Sequence, residues 1–376
     1  MVKHSKEVNL MVKKKKVFDL YEKLSQLSDK RRGQGKRHPV KLVVIIVILG
    51  IMNGYDGYRA IGDFTIKNKD ELILIFNPKK NRLPSFSTIR RVMGMVDFDE
   101  LCRIFEEWAK NNIIIKEKEW ISLDGKSISG TFPEEAHKFV NLVSLFCVEK
   151  KQVFSVGKVD EKSNEIPKVQ ELIEKCPVKK VIFRADAMHC QTKTVEAVLK
   201  KESFYVLQVK ENQKFLFRKV KFIAENLPAI SSDITKEKNR GRLEKREVTV
   251  HKESLDLKHY GWKEVKFIVK VKRTVEHKNG KISEETAYFI TNLDEKASFF
   301  NKGIRDHWKI ENSLHFVKDV TFNEDGLKIR SGSAPQNMAL LRSFVLNIFR
   351  QNGYLMIKQT TRLLAGRIEL MFSLLR

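Results

Sequence analysis

The chain has 376 residues, room for about two or three domains, and its 72 Lys and Arg against 47 Asp and Glu leave a formal charge of +25. That excess costs self-repulsion and points to a polyanionic partner; nucleic acid fits, because each neutralised phosphate releases counterions, although charge alone leaves a membrane surface open. Four scattered cysteines without a CxxC pair exclude a disulfide framework and a zinc cluster, and the longest apolar run, Leu42 to Met52, falls short of the about 20 residues that cross a bilayer and lies too far along to be a signal peptide. A cytoplasmic protein with no membrane partner is expected.

The first forty residues are basic, with Lys13-Lys14-Lys15-Lys16 and Lys30-Arg31-Arg32 as a solvated or phosphate-tracking arm. The apolar run that follows is β-branched, which favours a strand, yet its length and continuation through Tyr58, Ile61 and Phe64 favour a buried helix. At Pro84-Ser85-Phe86-Ser87, Ser87 is placed to cap a helix beginning Thr88-Ile89-Arg90-Arg91-Val92. Arg90 and Arg91 are either a solvated pair or a pair that enters a DNA groove. Residues 1–112 are therefore expected to form a basic, helical N-terminal domain.

From Trp120 the texture changes. Trp120 to Asp124 is a short apolar segment ending on a carboxylate, followed by β-rich runs from Phe139 to Val148 and from Gln152 to Val159. A helix from Pro167 to Cys176, a strand from Lys180 to Asp186, a helix from Thr192 to Lys201 and a strand from Phe204 to Val209 complete the series. The order β-β-β-α-β-α-β is that of an α/β, RNase H-like mixed sheet. Residues 211–292 read as a mostly β insertion, with alternating runs at Lys245 to His251 and Lys266 to Arg273 and a hairpin signal at Asn279-Gly280. Helical patterning returns from Lys302. The catalytic core is thus expected over 113–210 and 293–376.

Two predicted neighbouring strands end on Asp124 and Asp186, and strand ends of α/β sheets are where catalytic groups gather. A third acidic residue sits in a helix around Asp306 to Lys318. At about 100° per residue, His307, Glu311, His315 and Lys318 share one face, with Ile310, Leu314 and Val317 left for packing. His307, Glu311 and His315 could also be read as zinc ligands, but HExxH is absent and ligands strung over two turns converge poorly. Magnesium fits better, since hard Mg²⁺ takes oxygen ligands and keeps several waters.

Four strings carry a family likeness: Leu123-Asp124-Gly125-Lys126, Glu161-Lys162-Ser163-Asn164-Glu165-Ile166-Pro167, Ala185-Asp186-Ala187-Met188-His189-Cys190-Gln191, and the run His307 to His315. In this order they resemble the bacterial insertion-sequence DDE transposases that include the H-repeat-associated proteins found beside rhs elements. The resemblance implies an RNase H-like core interrupted by a β-rich insertion that helps hold transposon DNA. It implies a triad of Asp124, Asp186 and Glu311 holding two Mg²⁺ ions, with Mn²⁺ as a substitute. The family's lysine after the glutamate is matched by Lys318, while its tyrosine and arginine positions hold Ile304 and His307, with Arg305 adjacent. Lys210-Glu211-Asn212-Gln213 also matches. The DNA contacts expected on these grounds are Lys126, Lys210, Arg242, Arg246, Arg305, His307 and Lys318, beside Arg90 and Arg91. Double-stranded DNA, bound by a homodimer at the nucleoid, is the expected substrate, with no small molecule. A nuclease that cuts without joining and a DNA-binding relic are the remaining alternatives.

Overall fold

The computed structural model describes residues 20–129, 139–160, 163–239, 241–306 and 310–375. The lysine run at 13–16 and residues 307–309 therefore lie outside the described residues.

The N-terminal part is helical. The apolar run forms α1 (Val40–Met52), buried on every side. That resolves the strand-or-helix ambiguity, because a helix apolar all round has to be surrounded by protein. Helices α2 (Gly57–Lys67), α3 (Lys69–Phe76), α4 (Phe86–Met95) and α5 (Phe98–Asn112) follow. The expected cap is displaced. Ser85, not Ser87, is the N-cap residue of α4, and its hydroxyl meets those of Ser87 and Thr88 rather than a backbone amide. At α5 the start is conventional: Asp97 accepts from the amides of Asp99 and Glu100.

A nine-stranded sheet occupies the middle of the chain, in the order β3-β2-β1-β4-β5-β9-β8-β7-β6. Strands β1 (Trp120–Ile128), β2 (Val140–Cys147) and β3 (Gln152–Lys158) form an antiparallel meander. Beyond it, β4 (Ile182–Ala185) and β5 (Phe204–Val209) run parallel to β1, linked through α6 (Glu165–Lys175) and α7 (Thr192–Lys200). This mixed five-strand unit is the RNase H-like core expected from the element order. Strands β1 to β5 are near-continuous apolar runs because both faces are covered, with α5 packed on β3 and α6 on β2 and β3.

The segment after β5 is β-rich, as expected, but carries a helix that the sequence reading did not foresee. It opens with α8 (Lys214–Asn226), whose Leu216, Val220, Ile223 and Ala224 are buried at helical spacing. Then β6 (Ser231–Asn239), β7 (Arg242–Lys252), β8 (Phe267–Glu276) and β9 (Ile282–Thr291) continue the same sheet, because β9 pairs antiparallel with β5. The β8–β9 hairpin turns where expected, with Gly280 at φ 76° supplying the left-handed residue. Helix α9 (Ala297–Arg305) lies against β6 and β7. Asn301 donates to Asp233 at 2.7 Å, and Arg305 forms a two-pronged ion pair with Glu237. After it come two π-helical turns, Glu311–His315 and Val317–Thr321, and α10 (Ala334–Gln351), α11 (Ile357–Leu364) and α12 (Ile368–Leu374) close the chain. Helix α10 packs against α1 and α5 as well as β3, and so fastens the N-terminal helices to the core. No single described helix is long and apolar enough to cross a membrane.

Candidate active site

Asp124 is not at the end of its strand, as the apolar run suggested; β1 continues four residues past it, to Ile128. What ends nearby is the pairing with β4, which runs from Trp120–Ile182 to Ser122–Arg184. Continuing that register by two residues sets Asp124 opposite Asp186, where the two strands part. Asp186 follows β4 directly and opens a short turn, exposed to solvent. Two carboxylates therefore leave adjacent strands at the point where their ladder stops.

Glu311 arrives from the far end of the chain, exposed in the first π turn. In that turn the backbone bonds i→i+5, as Phe316 N–H donates to Glu311 O, so the face drawn for a regular helix does not apply. Ile310 and Leu314 are buried as expected, and His315 turns inward as well, at 7% exposure. Its Nε2 lies 3.1 Å from Asp124 Oδ2. An ionised carboxylate only accepts, so the imidazole donates through Nε2, leaving Nδ1 buried and without a partner among the described residues. Ligand atoms of Asp124, Glu311 and His315 all come within 4.8 Å of one another. The His307–Glu311–His315 zinc set has one member outside the described residues and another committed to Asp124.

Asp124, Asp186 and Glu311 line one cleft of about 310 Å³, whose remaining wall includes Arg184, Lys210, Arg246 and Arg273. Arg184 is 6% exposed, donates to Ile304 O at 2.7 Å, and lies over the Phe289 ring. Burial pulls its guanidinium down to about 9, against the pull of Asp186, which favours the charged form. Arg246 is also buried and pairs with Glu244 at 3.0 Å, which in turn holds Arg273 at 2.9 Å. Three acidic groups thus face a rim of fixed cations, an arrangement that suits dications and a phosphate diester together.

The other expected DNA contacts are distributed differently. Lys210 is exposed in the cleft, and Arg242 is exposed at the start of β7. Arg90 and Arg91 are exposed on α4. Arg305 is occupied by Glu237. Lys126 and Lys318 point into the protein: Lys126 pairs with Asp319 and, at 3.4 Å, Glu324, while Lys318 is 4% exposed and is brought down to about 8 by burial, against the opposing field of Glu324. His307 lies outside the described residues.

Arg184, Glu165 and His189 were not singled out from the sequence as site residues. Arg184 carried a signal: a lone charge in an apolar strand, two residues before Asp186 and so on the same face. Glu165 and His189 stood in the family strings with no role. Glu165 packs against Gly125, where a Cβ would collide with both carboxylate oxygens, and His189 Nε2 lies 4.0 Å from Glu165 Oε2.

Comparison with known proteins identifies the family. The description "Transposase DDE domain" matches residues 116–348, and "DDE_Tnp_1-associated" matches residues 21–109. The chain is 32% identical over 344 residues to "Putative transposase YncI" of Escherichia coli O157:H7, covering 89% of this chain and 88% of the relative. It is 28% identical over 340 residues to "H repeat-associated putative transposase YhhI" of Escherichia coli K12, covering 88% and 89% respectively. The likeness drawn from four short strings is borne out across most of the chain: the protein belongs to the DDE transposase family.

Proposed function

We propose that the chain cuts the ends of a DNA element and joins the freed 3′-OH to target DNA, using divalent metal ions held by Asp124, Asp186 and Glu311. The observation that supports this reading best is the meeting of three carboxylates from separate elements in one cleft walled by arginine and lysine. The donor set is oxygen-rich and open to solvent, which suits two Mg²⁺ ions that retain waters, with Mn²⁺ able to replace them. Bound there, the metals lower the pKa of an attacking water and stabilise the leaving oxygen of a phosphodiester.

The chain's own contribution is position and field. Arg184 and Arg246, buried at the cleft wall, present fixed positive charge to the non-bridging phosphate oxygens, and their partial desolvation strengthens that field. Lys210 supplies a solvent-exposed cation at the mouth. His315 holds the Asp124 carboxylate in one orientation. In the first step a water oxygen bonds to phosphorus and gives up a proton, the P–O3′ bond breaks, and the departing 3′ oxygen takes a proton. In the second, that 3′-OH bonds to a target phosphorus and loses its proton, and the target's own 3′ oxygen leaves and takes one up. The joining step exchanges one phosphodiester for another and needs no external energy.

Within this reading, residues 1–112 and 211–292 hold DNA around the core formed by 113–210 and 293–376. Arg90 and Arg91 contact the backbone from the N-terminal side, and Arg242 and Arg246 from the insertion. Arg305, Lys126, Lys318 and His307 remain contacts expected from the family resemblance; the first three would have to exchange their acidic neighbours for phosphate. Two element ends call for a homodimer on double-stranded DNA, in the cytoplasm at the nucleoid, with neither membrane nor small molecule taking part.

The test uses the DNA flanking the native gene, with Mg²⁺ and the full chain, beside Asp186→Asn. Cleavage followed by joining, both lost in the variant, is the expected result. Cleavage that never proceeds to joining would reduce the protein to a nuclease. Binding with no cleavage by either chain would leave a DNA-binding relic.

A further inference from the structure

We propose that Arg350 is a positioning residue for Glu311, tying the π turn that carries this carboxylate to the sheet. Resting on the metal-dependent reading above, this role falls to a residue outside the cleft lining. Turns of the i→i+5 kind are rare and concentrate at functional sites, so contacts from elsewhere in the chain have to help hold one. Ser313 is the middle residue of the turn Glu311–His315, and its carbonyl accepts from Arg350 Nη2. The other arm of the guanidinium, Nη1, donates to Lys151 O in the turn between β2 and β3. One side chain thus bridges the backbone beside Glu311 to the strand pair β1–β2, of which β1 carries Asp124.

Arg350 is buried at the C-terminal end of α10, and its starting point is fixed. One turn earlier, Asn347 accepts from Val153 N–H at 3.0 Å, and its own carbonyl accepts from Gln152 at 3.3 Å, which registers α10 on the first residues of β3. Among the described residues no carboxylate pairs with the guanidinium, and its Nε is buried without a partner. A buried cation held by carbonyls alone loses more hydration than those bonds offset, so stability by itself is a poor reason for an arginine here. What a rigid guanidinium fork can do, and a single ammonium cannot, is hold two carbonyls at a fixed spacing. The same helix reaches the second π turn through Arg342, which pairs with Glu324 at 3.3 Å, the carboxylate whose field acts on Lys318. Helix α10 therefore fastens the Glu311 segment at two points, and the Arg350 point is two residues from Glu311 itself.

Two measurements on the full chain test this role. Hydrogen exchange in EDTA, read by mass spectrometry over the two π turns, follows the turn without any metal. Electron paramagnetic resonance of bound against free Mn²⁺ follows the site. Parent, Glu311→Gln, Arg350→Lys and Arg350→Met are compared. Arg350→Lys keeps the charge but offers one arm. It should speed exchange of the first π turn by about tenfold, leave β3 and α5 at parental rates, and weaken Mn²⁺ binding by about tenfold or more, as for other groups that orient metal ligands. Arg350→Met should match it, because the fork and not the charge is what is lost; if the neutral variant does not fold, Arg350→Lys decides alone. Parental exchange of the turn in Arg350→Lys overturns the proposal, and so does a loss of protection everywhere alike, or of the fold, which marks a structural residue only. Faster exchange with parental Mn²⁺ affinity, while Glu311→Gln binds weakly, also overturns it: the turn is then held without Glu311 being positioned. If the parent takes up no Mn²⁺, or Glu311→Gln binds as the parent does, the metal-dependent reading itself falls and the positioning role with it.

Discussion

Asp124 has little around it to fix its side chain. Its Oδ1 accepts from the next amide, Gly125 N–H, at 2.9 Å, and its Oδ2 meets His315 at 3.1 Å. The imidazole is the one side chain in hydrogen-bond contact with it among the described residues, and it comes from 191 residues further along the chain. Removing that donor should leave DNA affinity unchanged and lower the cleavage rate by about 10–100-fold, the range for partners that orient metal-binding carboxylates. His315→Gln should recover part of the loss, because its amide can reach Oδ2 from nearly the same place, whereas His315→Ala cannot. Single-turnover cleavage under saturating Mg²⁺ measures this; parental rates in His315→Ala would show that Asp124 needs no such support. The sequence displayed His315 on a polar face with Glu311 but could not say what faced it, since the contact joins strand β1 to a helix nearly two hundred residues away.

Elements are coupled here through a buried charge network. Glu324, 2% exposed, pairs with Arg342 of α10 at 3.3 Å and with Lys126 of β1 at 3.4 Å, and Lys318 of the second π turn lies in its field. Three cations share this enclosed carboxylate, and among the described residues only Lys126 of the three has a second acidic partner, Asp319. Glu324→Gln should therefore destabilise the fold by about 3–5 kcal/mol, the cost of stranding buried partners. Lys318→Met leaves Glu324 with two cations and should stay within about 1 kcal/mol of the parent. The pH dependence has a definite sign. Lys318 is lowered from 10.5 to about 8, mainly by burial. Between those values the unfolded chain binds the proton that the folded chain has shed, so this group's contribution to stability rises with pH across the window. Any advantage of Lys318→Met is greatest below pH 8 and fades towards 10.5; chemical denaturation at pH 7 and 10 reads it, and an advantage that grows with pH would contradict the burial argument. The same elements show what was legible in advance. The five core strands were readable because each is a short apolar run bounded by turn residues. Helix α8 was missed although Leu216, Val220, Ile223 and Ala224 keep helical spacing, because its charges blended into the alternating runs that follow. The π turns were not readable at all: an i→i+5 ladder is rare and has no propensity signature in the sequence.

At the scale of the molecule, the charge of +25 has to be read together with where it lies. The N-terminal helices and the stretch after the π turns share a groove lined by Arg59, Arg90, Lys328 and Arg330, beside Tyr58 and Phe86. Arg59 and Phe86 also line an adjoining hollow with Arg37, Lys69 and Arg82, so the cations form a continuous track over the N-terminal region. A duplex lying along this track would meet these charges with its phosphates, and binding should then carry the signature of counterion release. For six to ten phosphate contacts, affinity should fall by about 10³–10⁵ between 50 and 200 mM salt. Arg90→Ala should weaken binding to any sequence about equally and reduce the slope of log affinity against log salt by about 1. Arg91, about 100° further round α4, is outside the groove lining and should matter less. Asp186→Asn alters the cleft without removing a phosphate-binding cation, so its salt slope should match the parent's. Fluorescence anisotropy on a duplex of arbitrary sequence across four salt concentrations separates these variants. If Arg90→Ala keeps the parental slope, the groove is not a path for DNA, and the excess charge is used elsewhere on the surface.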